Sequence, residues 1–151
     1  MTTSDHLPSS ALLRIAYNTL AARIYDAVVS GPAFEDLRPS HGNVMEQLEL
    51  EDGLRLKDLA ARAGMTAQSM GELVNDLERK GYLERQPDPN DRRAKRIYLT
   101  LRGRENARIA KQATDEVEAS LVGLLGGQQH RDLRRFLENI IALHVDDDGQ
   151  S

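Results

Sequence analysis

Residues 55–103 decide the fold, and they read RLKDLAARAGMTAQSMGELVNDLERKGYLERQPDPNDRRAKRIYLTLRG. The first half of this stretch contains two segments with helical apolar spacing, separated by a glycine. The second half contains two strand-like segments that flank a turn rich in proline, aspartate and arginine. We therefore expect a pair of short helices followed directly by a two-stranded hairpin.

The helix pair is predicted over about 57–63 and about 67–80, with Thr66 as the N-cap of the second helix. Gly64 allows the positive φ of a tight turn, and Met70 is the apolar residue that locks the two helices together. Gly81 ends the second helix. The buried face of this second helix carries Met70, Leu73, Val74 and Leu77, and the opposite face carries Gln68, Glu72, Asn75 and Arg79.

The hairpin is predicted from strands over 82–86 and 96–100 that flank a nine-residue turn, PDPNDRRAK. The chain has a net charge of -4, yet residues 79–104 hold nine Lys and Arg against three Asp and Glu. A solvated loop is one explanation of such a charged segment. Its position directly after a helix pair favours duplex DNA, and this order describes a winged helix-turn-helix.

The flanking segments are predicted to be helical. One helix spans 10–29 with Ser9 or Ser10 as its cap, and another spans about 40–50. Leu54 to Leu56 are predicted to form a short strand, and Gly126-Gly127 to separate two C-terminal helices over 102–125 and 129–144. The predicted fold is mainly α with a small β-wing. It is one domain over 1–151, with a DNA-binding core over about 34–103 and a dimerisation region over 9–30 and 104–145.

Residues 55–103 resemble the winged-helix core of MarR-type transcriptional regulators. The resemblance is carried by Asp91-Arg92-Arg93 and by the following Leu99, Thr100 and Gly103. It implies a homodimer that binds double-stranded DNA at a palindromic operator, more often as a repressor than as an activator. It also implies release by a small aromatic or anionic ligand.

Each polar group of the core then has an expected role. Gln68 pairs with adenine, Ser69 reaches a base or a phosphate, and Thr66 at the helix N-terminus favours a phosphate. Arg93 enters the minor groove at the wing tip, with Arg92 as the other candidate. Asp91 orients an arginine by a charge-assisted hydrogen bond. The expected DNA contacts are Thr66, Gln68, Ser69, Glu72, Asn75, Arg79, Arg85, Asp91, Arg92, Arg93 and Lys95, of which Arg79, Arg85 and Lys95 are phosphate clamps.

Two acids on the second helix are unusual for a DNA-binding surface. Glu72 lies on the exposed face and Asp76 at its side, where both would repel phosphates. For Glu72 the sequence favours a salt bridge on the helix surface, and acceptance of a hydrogen bond from cytosine N4 is the alternative. The two acids also motivate a rival function, a winged helix that binds protein. A second rival is a sequence-independent architectural DNA binder.

The expected dimer follows from DNA geometry. Two recognition helices must lie about 34 Å apart to read successive major grooves on one side of a duplex. The first helix and the last two carry apolar stripes that are broader than a small winged helix covers. A twofold mate would bury them, and an intrachain helical subdomain in a monomer is the alternative.

Other sites are expected to be few. The resemblance places a ligand pocket near Tyr17, His41 and Met45, although each is also explained as a half-buried contact. The chain has no cysteine, and its four histidines lack metal-ligand spacing, so we expect no metal and no cofactor. We find no catalytic signature, no signal peptide and no membrane-length apolar run, and expect a cytoplasmic protein that is not an enzyme.

Overall fold

The computed structural model describes residues 6–30 and 34–147, with side chains as far as residue 143. Its helices and strands are α1 (Ser9–Val29), α2 (Pro39–Leu50), α3 (Leu56–Arg62), α4 (Ala67–Arg79), β1 (Leu83–Asp88), β2 (Asp91–Leu99) and α5 (Leu101–Asp147). The predicted fold class, mainly α with a small β-wing, is confirmed. The chain divides into two compact units, residues 1–113 and 114–151. None of the helices in the described ranges combines the length and apolarity that a membrane span requires.

The helix pair has the turn that the sequence predicts. Gly64 follows the C-cap of α3 with φ of 62°, which glycine adopts without steric cost. Met65 N–H then donates to the carbonyl of Ala60 at 2.9 Å. Ala60 and Met70 are both buried, so the small residue and the large one pack where α3 and α4 approach each other.

Both ends of α4 are capped. The Thr66 hydroxyl accepts a hydrogen bond from Ser69 N–H at 3.2 Å, which satisfies one of the free donors of the first turn. At the other end Gly81 has φ of 79°, and Tyr82 N–H donates to the carbonyl of Leu77 at 2.9 Å. Gly81 N–H donates to Glu78, which completes a Schellman motif. The length and direction of α4 are therefore fixed by local sequence.

The hairpin is longer, and its turn tighter, than predicted. Strands β1 and β2 are antiparallel, with Leu83 opposite Leu99 and Pro87 opposite Lys95, and the register shifts at Asp88. Only Pro89 and Asn90 connect the two strands. The predicted nine-residue turn is wrong because Lys95 pairs with Pro87 and Asp91 with Asp88, so that residues 92–94 lie in a bulge within β2. Their polar composition reflects an exposed strand rather than a loop.

Thr100 and Gly103 join the hairpin to α5. The Thr100 hydroxyl lies 2.6 Å from the carbonyl oxygen of Gly81 and accepts from Gly103 N–H at 3.1 Å. A Cβ on Gly103 would overlap the carbonyl oxygen of Tyr82. The first turn of α5 thus rests directly on the connection between α4 and β1, which explains the small residue.

Two local predictions are corrected, and a third is confirmed. Pro8, and not a serine, is the N-cap of α1, and its carbonyl accepts from the backbone of residues 11 and 12. Leu54 forms a single bridge with Ile97, whereas Leu56 already begins α3, so residues 54–56 are not a strand. The expected break at Gly126-Gly127 is confirmed, because Gly126 has a non-helical backbone with φ of 76° and ψ of 158°, so that α5 consists of two helices joined at a kink.

The core of the first unit is aliphatic. It brings together buried residues from α2, α3, α4 and both strands, including Val44, Leu48, Leu59, Met70, Val74, Leu77, Tyr82, Leu83, Ile97 and Leu99. Its one fully buried tyrosine, Tyr82, donates its hydroxyl to Asp36 at 2.6 Å. This core holds α4 and the hairpin in a fixed relation, and that relation positions the site.

Candidate nucleic-acid interface

The polar face of α4 is exposed as predicted, but its four side chains are not equivalent. Asn75 Oδ1 accepts from Arg85 Nη2 at 2.8 Å, and Arg79 Nη2 lies 3.0 Å from Asp76 Oδ1. Gln68 and Glu72 are exposed and bond to no other side chain in the described part of the protein. Glu72 therefore does not form the salt bridge that the sequence favoured.

The N-terminus of α4 presents further polar groups. The Thr66 hydroxyl donates to Ser69 Oγ at 3.0 Å in addition to accepting from Ser69 N–H. Ser69 keeps its own hydroxyl hydrogen for an external acceptor, and both residues are exposed. The positive end of a helix dipole attracts anions. The arrangement suits a phosphate, with Thr66 mainly in a capping role.

Asp76 is the centre of an ion-pair cluster. Its carboxylate contacts Arg38 at 2.7 Å, His41 at 3.0 Å, Arg79 at 3.0 Å and Lys80 at 3.2 Å. Hydrogen bonds from Lys80 and then Arg38 lower the pKa of Asp76 to about 2. Its charge is thus balanced within the protein, and Asp76 is not the second free acid that the sequence suggested. Sequence reasoning could not find Arg38, which is 38 residues away. Arg79 and Lys80 lie three and four positions along the helix, and helical spacing could have identified them.

His41 is buried and fully bonded. Its Nδ1 accepts from Arg38 N–H at 3.0 Å, so the ring proton belongs on Nε2, which faces Asp76 Oδ2 at 3.0 Å. Burial lowers the pKa of His41, and the nearby cations Lys80 and Arg38 lower it further. The imidazole therefore acts as a neutral cap at the start of α2.

The three residues expected to line a ligand pocket lie in different surroundings. Tyr17 is exposed on α1, whereas His41 and Met45 are buried in the core around α2. No described contact joins Tyr17 to the other two. The pocket stays a prediction without support from this geometry.

Asp88 anchors the hairpin to the helix pair. Its buried carboxylate accepts hydrogen bonds from Asn90 N–H at 2.8 Å, Arg55 Nε at 2.8 Å and Arg96 Nε at 2.9 Å. These bonds, that of Asn90 first, lower the pKa of Asp88 to about 2. Asp91, expected to orient an arginine side chain, instead accepts from the backbone N–H of Arg93 at 3.0 Å. The orienting role belongs to Asp88, because Asp88 alone of the two faces the interior.

Arg85 is also held within the protein. Its guanidinium pairs with Glu78 and donates to Asn75 at 2.8 Å, so it links β1 to the C-terminal half of α4. We call Arg55, Arg85 and Arg96 the anchored arginines. Arg85 was expected to clamp a phosphate, but its donors are already directed at two side chains of α4.

Three cations of the wing have no such partner. The side chains of Arg92, Arg93 and Lys95 are exposed on β2, and they bond to no acid within the described ranges. We call them the free cations. They lie next to the turn, where the wing extends furthest from the core. Together with the N-terminus and polar face of α4, they are the exposed groups of this unit that suit a polyanion.

Comparison with known proteins finds a family whose model matches the helix pair and the wing. The model of the MarR family matches residues 35–94. An HTH-type transcriptional repressor of Mycobacterium tuberculosis is 29% identical over 96 residues, which are 64% of this chain and 69% of that protein.

Two solved structures share the fold. FabT of Streptococcus pneumoniae, solved in complex with DNA, has a TM-score of 0.75 and 22% identity, and the match covers 91% of this chain and 94% of that one. PcaV of Streptomyces coelicolor, solved with its natural ligand, has a TM-score of 0.71 and 19% identity over 94% and 96% of the two chains. The winged helix-turn-helix core, the matched model and these relatives agree, and together they support a winged-helix regulator of the MarR family.

Proposed function

We propose that the protein is a sequence-specific, double-stranded DNA-binding repressor that acts as a homodimer on a palindromic operator. The observation that carries the proposal is that the winged helix has both three free cations on β2 and an exposed polar face on α4. A helix in the major groove reads bases, and arginines on a flanking β-loop suit the negative potential of a narrow minor groove. Arg93, with Arg92 as the alternative, is the proposed minor-groove contact.

The charge distribution supports DNA over a protein partner. The rival function rested on two acids near the reading face, and Asp76 is neutralised by four cationic or hydrogen-bonding neighbours. Glu78 is paired with Arg85. Of the acids on α4 only Glu72 is left free among the residues that the structure describes. The surface is therefore more favourable to phosphates than the sequence indicates.

Exposed apolar side chains support a homodimer. On α1 of the first unit, large apolar residues that are more than one third exposed are Leu12, Leu13, Ile15 and Tyr17. The second unit, taken alone, exposes Val122, Leu124, Phe136, Ile140, Ile141 and Leu143. Such faces cost free energy in water, and a second copy of the chain would cover them. A dimer also supplies the two reading helices that a palindrome requires.

The repressor role and the ligand come from relatives. The Mycobacterium tuberculosis relative is named a repressor, and PcaV was solved with its natural ligand. We propose that a small aromatic or anionic ligand binds more tightly to a dimer geometry with incorrectly spaced reading helices. Such a ligand would release DNA by its differential affinity for the two states.

The test is DNA binding by the full chain as a function of salt. Fluorescence anisotropy would compare a duplex from upstream of the protein's own gene with a scrambled duplex of equal length. We expect preference for the upstream duplex and a loss of affinity of about 10³- to 10⁵-fold between 50 and 200 mM salt, as for about six to ten phosphate contacts. Equal affinity for both duplexes would indicate an architectural binder, and salt-independent or absent binding would favour a protein partner. Sedimentation of the free chain as a monomer would overturn the dimer.

A further inference from the structure

Glu72 differs from the other acids of its helix. Asp76 contacts Arg38, His41, Arg79 and Lys80, and Glu78 pairs with Arg85. Glu72 is exposed, and in the described structure its carboxylate bonds to nothing. A negative charge left free on the reading face needs an explanation that the ion pairs of its neighbours do not supply.

The helix itself offers Glu72 no cation. Residues three and four positions away on a helix are the ones that reach a side chain. At these positions α4 has Gln68, Ser69, Asn75 and Asp76, none of which is basic. The arginines further along, Arg79 and Arg85, point at other acids. The carboxylate is therefore presented outward as an acceptor.

Facing DNA, a free carboxylate is unfavourable unless it meets a hydrogen-bond donor. In the major groove the donors on base edges are the amino groups of cytosine N4 and adenine N6. Adenine carries the acceptor N7 beside its amino group, and N7 would repel the second carboxylate oxygen. Cytosine has no acceptor of its own on that edge. A carboxylate therefore prefers cytosine to every other base.

We propose that Glu72 is a specificity-determining residue that accepts a hydrogen bond from cytosine N4 in each operator half-site. The inference rests on the proposed function, since it assigns a base to the reading helix. Gln68, the other unpartnered side chain of this face, lies one turn earlier and about 6 Å along the helix axis. With base pairs about 3.4 Å apart, the cytosine should fall within about two base pairs of any adenine that Gln68 reads.

The experiment is selection of bound sequences from a random duplex library, with the full chain and three variants. Wild type should select a palindrome with cytosine at one fixed position of each half-site. Glu72→Gln should change that position from cytosine to adenine, because glutamine pairs with adenine N6 and N7. Glu72→Ala should lose preference there and leave the other positions unchanged. Glu46→Gln, which removes an equally exposed negative charge from α2, is the matched control and should retain the wild-type motif.

Affinity measurements on single duplexes give the size of the contribution that the proposed Glu72–cytosine contact makes to binding. Replacing the selected cytosine should weaken wild-type binding about 5- to 150-fold, the range of one good base contact, and should leave Glu72→Ala unaffected. The inference is overturned if wild type selects a motif that Glu72→Gln and Glu72→Ala reproduce unchanged. If wild type selects no motif at all, the proposed function fails, and this inference fails with it. Circular dichroism would establish that the variants keep their helices.

Discussion

The anchored arginines and the free cations are all basic side chains in or beside one small wing, yet their surroundings are opposite. Arg55 and Arg96 converge on the buried carboxylate of Asp88, and Arg85 bonds Glu78 and Asn75. The side chains of the free cations meet no acid in the described chain. The first group connects the hairpin to the helix pair, whereas the second group is available to a ligand.

The difference shows why charge density alone misassigns roles. The sequence places nine basic residues in 79–104, but the structure uses several of them to neutralise acids of the fold. A positive charge that is already paired with an acid of the protein adds little to polyanion binding. Such a charge neutralises less of the phosphate charge, so fewer counterions leave the DNA. We therefore expect the DNA contacts of this wing to lie in a few side chains near its turn.

The largest effect should come from removing free cations. The double substitution Arg92→Ala and Arg93→Ala is expected to weaken DNA binding at least about tenfold at physiological salt, because both side chains lose their phosphate or groove contacts. Anisotropy titration measures it, and the melting temperature should stay near that of wild type. The two single variants show which arginine enters the groove, with Arg93→Ala expected to have the larger effect. Unchanged affinity in the double variant would refute the minor-groove assignment.

Asp88→Asn should act on the fold instead. A neutral amide at the buried position of Asp88 removes the counter-charge of the partly exposed Arg55 and Arg96 and directs N–H groups at their donors, which is costly. We expect the melting temperature to fall by several degrees in differential scanning calorimetry, with DNA affinity reduced as a consequence of a loosened wing. Asp91→Asn is the control, since Asp91 is exposed and accepts only a backbone N–H. An equal loss of stability in both variants would contradict the anchoring role of Asp88.

Acid should destabilise the fold through the ion pairs of Asp76 and Asp88. The folded-state pKa values of Asp76 and Asp88 are both about 2, below the ordinary value of 3.8. Their stabilising contribution is therefore present above pH 3.8 and is lost as the pH falls toward 2. Urea unfolding between pH 5 and about 2 measures the decline. Asp88→Asn should have a shallower decline than wild type, and an identical pH dependence would exclude Asp88 as a source.

Arg85→Gln should have the smallest effect. Arg85 is partly exposed, and such surface ion pairs contribute about 0–1 kcal/mol. Because its guanidinium is directed at Glu78 and Asn75, we expect DNA affinity to change by less than about threefold and the salt dependence to stay the same. Anisotropy at two salt concentrations measures both. A loss as large as that of the double variant would place Arg85 among the phosphate clamps after all.

Local patterns were sufficient for most of the fold. The spacing of Met70, Val74 and Leu77 predicted the buried face of α4, and Thr66 and Gly81 predicted its ends. The sequence overestimates the length of the hairpin turn, because polar and charged residues in an exposed strand have the same composition as a loop. Pairing in a hairpin depends on the opposite strand, and periodicity along one strand does not reveal it.

The roles of charged residues were less predictable. The sequence places Asp88 in a turn because its partner Arg55 is 33 positions away. It suggests His41 as a pocket residue because its bond to Asp76 joins α2 to α4, whereas its bond to Arg38 is a local contact at the start of α2. Such pairs arise only when the core brings distant segments together. The exposed face of α4 was placed correctly, but which of its side chains are free depended on those same distant contacts.

The salt dependence of DNA binding tests the central claim most directly. Affinity of one duplex would be measured from 50 to 200 mM salt for wild type, the double arginine variant and Arg85→Gln. We predict a steep slope for wild type, a slope smaller by about one unit for each lost phosphate contact in the double variant, and no change for Arg85→Gln. Identical slopes for wild type and the double variant would contradict the distinction between free and anchored cations.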